Sequence, residues 1–112
     1  MRITGGKLTG RIIKCPDGII RPAMDRMRVS IFSILKDMSG FSFLGSLEGK
    51  SWLDLFSGSG TIAIEAASRG AARIELCEKD RLKIDTILEN VSITEKELDV
   101  KIKCHFMPVE YF

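Results

Sequence analysis

The chain is short of the residues that build cross-links and metal sites. Its 112 residues include three cysteines, three prolines, one histidine and one tryptophan. Cys15, Cys77 and Cys104 are odd in number, widely spaced and form no C-x-x-C pair. That argues against a disulfide framework or a zinc site and suits a reducing cytoplasm. The single histidine, His105, reads as a strand residue, so no metal site is expected. No run is long and apolar enough to cross a bilayer, and the N-terminus lacks the apolar stretch of a secretory signal. A soluble intracellular protein with no membrane partner is expected.

What is present fits one folded domain. With 45% hydrophobic residues the chain can bury a small core, and wholesale disorder is not expected. The net charge of +2 conceals an uneven distribution. Residues 1–28 hold seven cations (Arg2, Lys7, Arg11, Lys14, Arg21, Arg26, Arg28) against Asp17 and Asp25, a local +5 that leaves −3 for the rest. A basic arm on a mildly acidic domain suits a polyanionic partner such as nucleic acid, and equally a solvated basic surface.

The most informative stretch is Ser51-Trp52-Leu53-Asp54-Leu55-Phe56-Ser57-Gly58-Ser59-Gly60-Thr61. Residues 51–56 read as a short buried strand, and a helical pattern follows the glycines. A parallel strand that ends in a glycine turn leaves helix N–H groups facing a crevice where a nucleoside-containing ligand can sit. Gly58-x-Gly60-x-x-Ala63 also satisfies a loose dinucleotide pattern, and glycine spacing alone does not separate the readings. Glu78 lies twenty residues after Gly58, the distance at which an acid accepts hydrogen bonds from ribose hydroxyls. An acid there fits poorly with a 2′-phosphate.

Along the chain, residues 1–15 read as a β-hairpin or a pair of short strands, followed by a Pro16-Asp17-Gly18 turn. A helix is expected over residues 25–38, with Asp25 as N-cap and Gly40 as the stop. Arg26 and Arg28 then fall in its first turn, against the helix dipole. Their compensating anion is a phosphate, a cofactor carboxylate, or Asp25 or Asp54. Residues 41–50 read as a loop packed down by Phe41, Phe43, Leu44 and Leu47. A second helix is expected over 61–69 with Gly70 as its stop; Glu65 is the one charge among Ile62, Ala63, Ile64, Ala66 and Ala67, and can answer Arg69. Residues 72–77 read as a strand, 80–92 as a helix capped by Asp80, 95–99 as a polar turn, and 100–106 as a strand.

Asp54-x-x-x-Gly58-x-Gly60 resembles the first motif of class I S-adenosylmethionine-dependent methyltransferases. The fuller string through Glu65-Ala66 and Ser68-Arg69-Gly70-Ala71 is similar to the RsmD-like family, as are Met1-Arg2-Ile3, Gly6-Lys7, Gly10-Arg11, Arg21-Pro22 and Asp25-Arg26-x-Arg28. Asp54 and this N-terminal segment favour the methyltransferase over an NAD enzyme. The resemblance implies an α/β, Rossmann-like class I methyltransferase fold of which this is the first half (β1-α-β2-α-β3), carrying an N-terminal hairpin and helix. It divides the chain into a basic RNA-binding arm, residues 1–40, and the N-terminal half of the cofactor domain, residues 41–112.

By the same resemblance the activity is methylation of a guanine N2 in small-subunit ribosomal RNA, free or in an assembling subunit. S-adenosylmethionine is held by Asp54, Phe56, Ser57, Gly58, Gly60, Thr61, Glu78 and Lys79, and RNA by Arg2, Lys7, Arg11, Arg21, Arg26 and Arg28. Glu65 is implied to support the cofactor loop. The sequence departs from the family at Ala23, where Thr is expected, and at Met107-Pro108, where many relatives place an Asp beside the adenine. The family's Asn/Asp-Pro-Pro-Tyr/Phe motif is missing: Pro16, Pro22 and Pro108 are isolated. The expectation is a chain truncated before its catalytic motif, with an uncovered sheet edge open to self-association, or else a nucleic-acid-binding module that keeps the fold without the chemistry.

Overall fold

The computed structural model describes residues 2–14, 22–39, 47–55, 58 and 60–112. Three short strands, β1 (Ser51–Asp54), β2 (Arg73–Cys77) and β3 (Ile102–His105), form a parallel sheet in the order β1-β2-β3. Strand alternation gives the sheet two unlike faces. Trp52, Ile74 and Ile102 stand in register across it, and Asp54, Leu76 and Cys104 form the next row on the same face. That face carries the core: Ile74, Leu76 and Ile102 pack with Ala63, Ala66 and Ala67, with Ile87 and Val91, and with Phe32. The other face presents Leu53, Glu75 and Lys103, and Leu53 remains half exposed.

Three helices supply the covering layer. The first, α1 (Pro22–Ser39), contributes the fully buried Phe32, which stacks on Trp52 at 5.2 Å. It begins three residues earlier than the sequence pattern suggests. Proline's fixed φ and missing N–H suit the first helical turn, so Asp25 lies inside the helix rather than capping it. Arg26 and Arg28 consequently fall in the second turn. The expected stop at Gly40, the 16–18 turn and the loop residues Phe41, Phe43 and Leu44 lie outside the described residues.

The second helix, α2 (Thr61–Ser68), is short and nearly all buried, because its alanines let it lie close on the sheet. Its end is legible in detail. Gly70 has φ +105, its N–H donates to Ala67 O at 3.1 Å, and the Ala71 N–H donates to Ala66 O at 3.1 Å. These are the two bonds of a Schellman stop.

The third helix, α3 (Ile84–Leu98), follows a 3-10 turn (Arg81–Lys83) capped by Asp80, whose carboxylate accepts the Leu82 N–H at 3.0 Å. The helix continues through the residues expected as a polar turn. No glycine or proline interrupts it, and Val91, Thr94 and Leu98 extend its inner face until Asp99 turns left-handed at φ 53. Asp is one of the few side chains that tolerates this conformation. Glu95, inside that stretch, accepts the Ile102 N–H at 2.9 Å and ties α3 to β3.

Residues 2–14 form an arm folded back on itself. Arg2 and Ile12 make an antiparallel bridge, the Ile3 N–H donates to Arg11 O at 3.0 Å, and the Gly10 N–H donates to Ile3 O at 2.8 Å. The expected hairpin is present as this single bridge with its loop. Ile3, Leu8 and Ile13 pack on Ile64 of α2, a second small core beside the first.

Candidate functional site

The C-terminal ends of parallel strands form the crevice in this architecture, and here β1 and β2 deliver their distinctive residues to it. Asp54 closes β1 beside Leu76 and is half buried. Glu78 follows β2 directly and is 8% exposed. Its Oε1 accepts the Gly58 N–H at 2.7 Å and its Oε2 accepts the Asp80 N–H at 2.8 Å. Its own N–H donates to His105 O at 3.1 Å. One carboxylate therefore joins the glycine turn after β1 to the turn after β2. Each oxygen keeps lone-pair capacity for a hydroxyl.

Gly58 and Gly60 have φ +60 and +83, conformations that a glycine adopts without a Cβ penalty. Gly60 is the N-cap of α2, with no side-chain cap hydrogen bond and no acid in the first turn. Thr61 is buried as the first helical residue, and Lys79 is exposed beside Glu78. Phe56 and Ser57 lie outside the described residues. Asp54, Gly58, Gly60, Thr61 and Glu78 are thus brought to one end of the sheet. The donor and acceptor set suits a nucleoside: a carboxylate for ribose hydroxyls, and helix N–H groups with a left-handed glycine before them.

The basic residues divide into three groups. Arg2, Lys7 and Arg26 are exposed. Arg11 is exposed but pairs with Glu97. Arg28 is corrected from the RNA-facing set: its side chain is 1% exposed, its Nε pairs with Glu65 Oε1 at 3.0 Å, and its Nη2 donates to Arg2 O. An arginine held inside by a buried carboxylate and a backbone carbonyl has no surface to offer a phosphate. Glu65 supplies it a buried counter-charge. Arg21 lies outside the described residues.

Several residues that shape this region were not singled out from sequence. Ser68 Oγ donates to Gly5 O at 2.6 Å and accepts the Leu8 N–H at 2.9 Å. Asn90 holds Lys14 from both sides, accepting its N–H at 3.2 Å and donating to its carbonyl at 3.0 Å. The signal available for Ser68 was a polar residue on a helix apolar all round, which must find a partner once buried. Beside β2, His105 Nε2 lies 3.0 Å from Glu75 Oε1, and this hydrogen bond holds the Glu75 carboxyl below its ordinary value. Burial, with the Glu95 charge adding to it, pushes the Cys104 thiol up to about 11.

Comparison with known proteins identifies the family and the fold. The family model described as conserved hypothetical protein 95 matches residues 1–107. The chain is 34% identical over 93 residues to ribosomal RNA small subunit methyltransferase D of Escherichia coli K12, covering 82% of this chain and 43% of that protein. It is 34% identical over 113 residues to an uncharacterized methylase of Rickettsia prowazekii, covering 97% of this chain and 45% of that one. Among solved structures, a hypothetical protein of Thermus thermophilus matches with TM-score 0.76 and 34% identity, over 100% of this chain and 58% of the other. The Escherichia coli protein yhhF matches with TM-score 0.75 and 28% identity, over 100% and 55%. The chain spans about half the length of these relatives. Its sheet order and helix layer are those of the first half of a Rossmann-like methyltransferase fold. On these grounds the chain belongs to the RsmD-like family, the one described as conserved hypothetical protein 95.

Proposed function

We propose that this chain carries the S-adenosylmethionine-binding half and the RNA-gripping arm of a methyltransferase acting on guanine N2 of small-subunit ribosomal RNA in the cytoplasm. The observation that carries the reading is the Glu78 carboxylate bridging the Gly58 and Asp80 N–H groups beside the glycine-capped start of α2. The relatives' names support the RNA substrate. Bound S-adenosylmethionine would supply an electrophilic methyl group for in-line displacement, chemistry that asks the protein chiefly for proximity and orientation. Glu78 would accept the ribose hydroxyls, and Asp54, Phe56, Ser57, Gly58, Gly60, Thr61 and Lys79 would hold the rest of the cofactor. Arg2, Lys7, Arg11, Arg21 and Arg26 neutralise phosphates.

Extruding the base and accepting hydrogen bonds from its amino group falls to an Asn/Asp-Pro-Pro-aromatic segment, which these 112 residues do not contain. The exposed Arg2, Lys7 and Arg26 also fit a second reading, a nucleic-acid-binding module that keeps the fold without methyl transfer. Among the described residues β1 pairs with β2 alone, and its other edge, with Leu53 and Leu55 half exposed beside it, is where a further strand or a second copy would add.

Calorimetric titration with S-adenosylmethionine and methyl incorporation into small-subunit ribosomal RNA test both readings. Saturable binding is expected, weakened about tenfold or more in Glu78→Ala. RNA affinity that falls steeply with salt, with no cofactor binding at all, would replace the first reading with the second.

A further inference from the structure

The Glu65 carboxylate is 0% exposed and is surrounded by donors from three parts of the chain. Its Oε1 accepts the Thr4 N–H at 3.0 Å and the Thr4 hydroxyl at 3.1 Å, and pairs with Arg28 Nε at 3.0 Å. Its Oε2 accepts the Gly5 N–H at 3.0 Å and pairs with Arg69 Nε at 3.0 Å. A carboxylate this deep is tolerated only when its lone pairs are filled and its charge is met. An i,i+4 partner for Arg69 would need neither the burial nor the reach across 61 residues to Thr4.

The arm lies directly against the helix at this point. A Cβ on Gly6 would fall 1.9 Å from Ser68 O, and one on Gly5 would fall 2.7 Å from the Arg69 guanidinium. The Lys7 N–H donates to Ser68 O at 2.8 Å, while the Lys7 side chain points out to solvent. Arg28 extends the network to the carbonyl of Arg2, whose side chain is also exposed. Two of the arm's exposed cations, Arg2 and Lys7, are therefore anchored, through their own backbone, to groups on or bound to Glu65 and its neighbour Ser68.

We propose that Glu65 is a positioning residue for nucleic acid: it holds the basic arm on α2 in the orientation that presents Arg2 and Lys7, and it touches neither RNA nor cofactor. The proposal rests on the reading of that arm as the RNA grip. It places the two grips at opposite ends of one short helix, with the glycine turn at the start of α2 and the arm on its last turn.

Two variants of the full chain test it, Glu65→Gln and Gly6→Ala, the second of which displaces the arm without altering the charge cluster. Amide hydrogen exchange, anisotropy with labelled small-subunit ribosomal RNA at two salt concentrations, and calorimetry with S-adenosylmethionine are read side by side. In both variants the Thr4, Gly5 and Leu8 amides are expected to exchange at least about tenfold faster while Ile74 and Leu76 stay protected. RNA affinity is expected to fall about tenfold with a shallower salt slope, and cofactor affinity to stay within about threefold. Should Glu65→Gln fail to fold, Gly6→Ala decides. Unchanged arm amides, or RNA and cofactor affinities falling together, would overturn the positioning role. A wild-type chain without salt-dependent RNA affinity would instead overturn the RNA reading on which it rests.

Discussion

The two ends of α2 are built on opposite plans. At the start, Gly60 turns left-handed and offers no side-chain cap, and no acid lies in the first turn. At the finish, the Schellman bonds, Ser68, and the Glu65 network with Arg28 and Arg69 satisfy the backbone and the side chains together. A Trp52–Phe32–Arg69 stack completes that end, with the guanidinium 4.8 Å from the Phe32 ring centre. Helix ends normally find partners for their free N–H and C=O groups. The end tied to its neighbours reads as scaffold, and the end beside the buried Glu78 carboxylate is the one proposed to meet a ligand. Eight residues thus separate a terminus tied into the fold from the one at which cofactor binding is proposed.

The largest expected effect strikes the saturated end. Glu65→Ala leaves Arg28 and Arg69 without their common counter-charge, and loss of about 3–5 kcal/mol is expected in urea unfolding. For a domain whose total stability is of order 5–15 kcal/mol this approaches unfolding. A cost under about 1 kcal/mol, the value of an exposed pair, would break the comparison.

Gly6→Ala comes next. Its left-handed φ of +80 and the overlap with Ser68 O together imply a cost of about 2 kcal/mol. Gly10→Ala is its control, because φ is +86 there but no atom lies within 4 Å of an added Cβ; about 1 kcal/mol is expected from the backbone alone. Equal midpoints for the two variants would show that the arm does not lie against α2.

The open end should respond in the other sense. Glu78→Ala is expected to cost about 1–2 kcal/mol, from the stranded Gly58 and Asp80 N–H groups, and to cost ligand affinity more than stability. The smallest effect lies on the sheet face away from the helices. Glu75 is held below its ordinary value of 4.5, first by the His105 hydrogen bond and then by the Arg73 and Lys103 charges, with burial opposing them. The stability this contributes is complete above the unfolded value and is lost as pH falls through the lower folded value. Glu75→Gln should therefore flatten the acid limb of the urea-midpoint profile slightly and leave neutral pH nearly unchanged; an effect at neutral pH as large as that of Gly6→Ala would contradict it.

Much of the fold was legible because its signals are local. The strand–glycine–helix string, the order of three strands and the Gly70 stop are each written within a few neighbouring residues. So is the Asp80 cap. The start of α1 was missed because Asp25 was weighed as the N-cap, while the fitness of Pro22 for a first helical turn was not weighed. The length of α3 was missed because polar residues in its last turns were weighed as a turn, although nothing there breaks a helix. Arg28 was misassigned for a different reason. Its partner lies 37 positions away on α2, and charge counted along a sequence does not reveal which cation will be buried. Glu65 was recognised as anomalous, but only its near partner, Arg69, could be named from spacing. Its contacts with Thr4 and Gly5 exist only once the arm has folded over α2.

The most direct test of the account is S-adenosylmethionine titration of the wild-type chain beside Glu78→Ala, with urea midpoints measured on the same samples. The account predicts saturable binding that weakens about tenfold or more in the variant while the midpoint moves less than it does for Glu65→Ala. Binding of equal strength in both chains, or none in the wild type, would contradict the claim that the open end of α2 and Glu78 form the cofactor site.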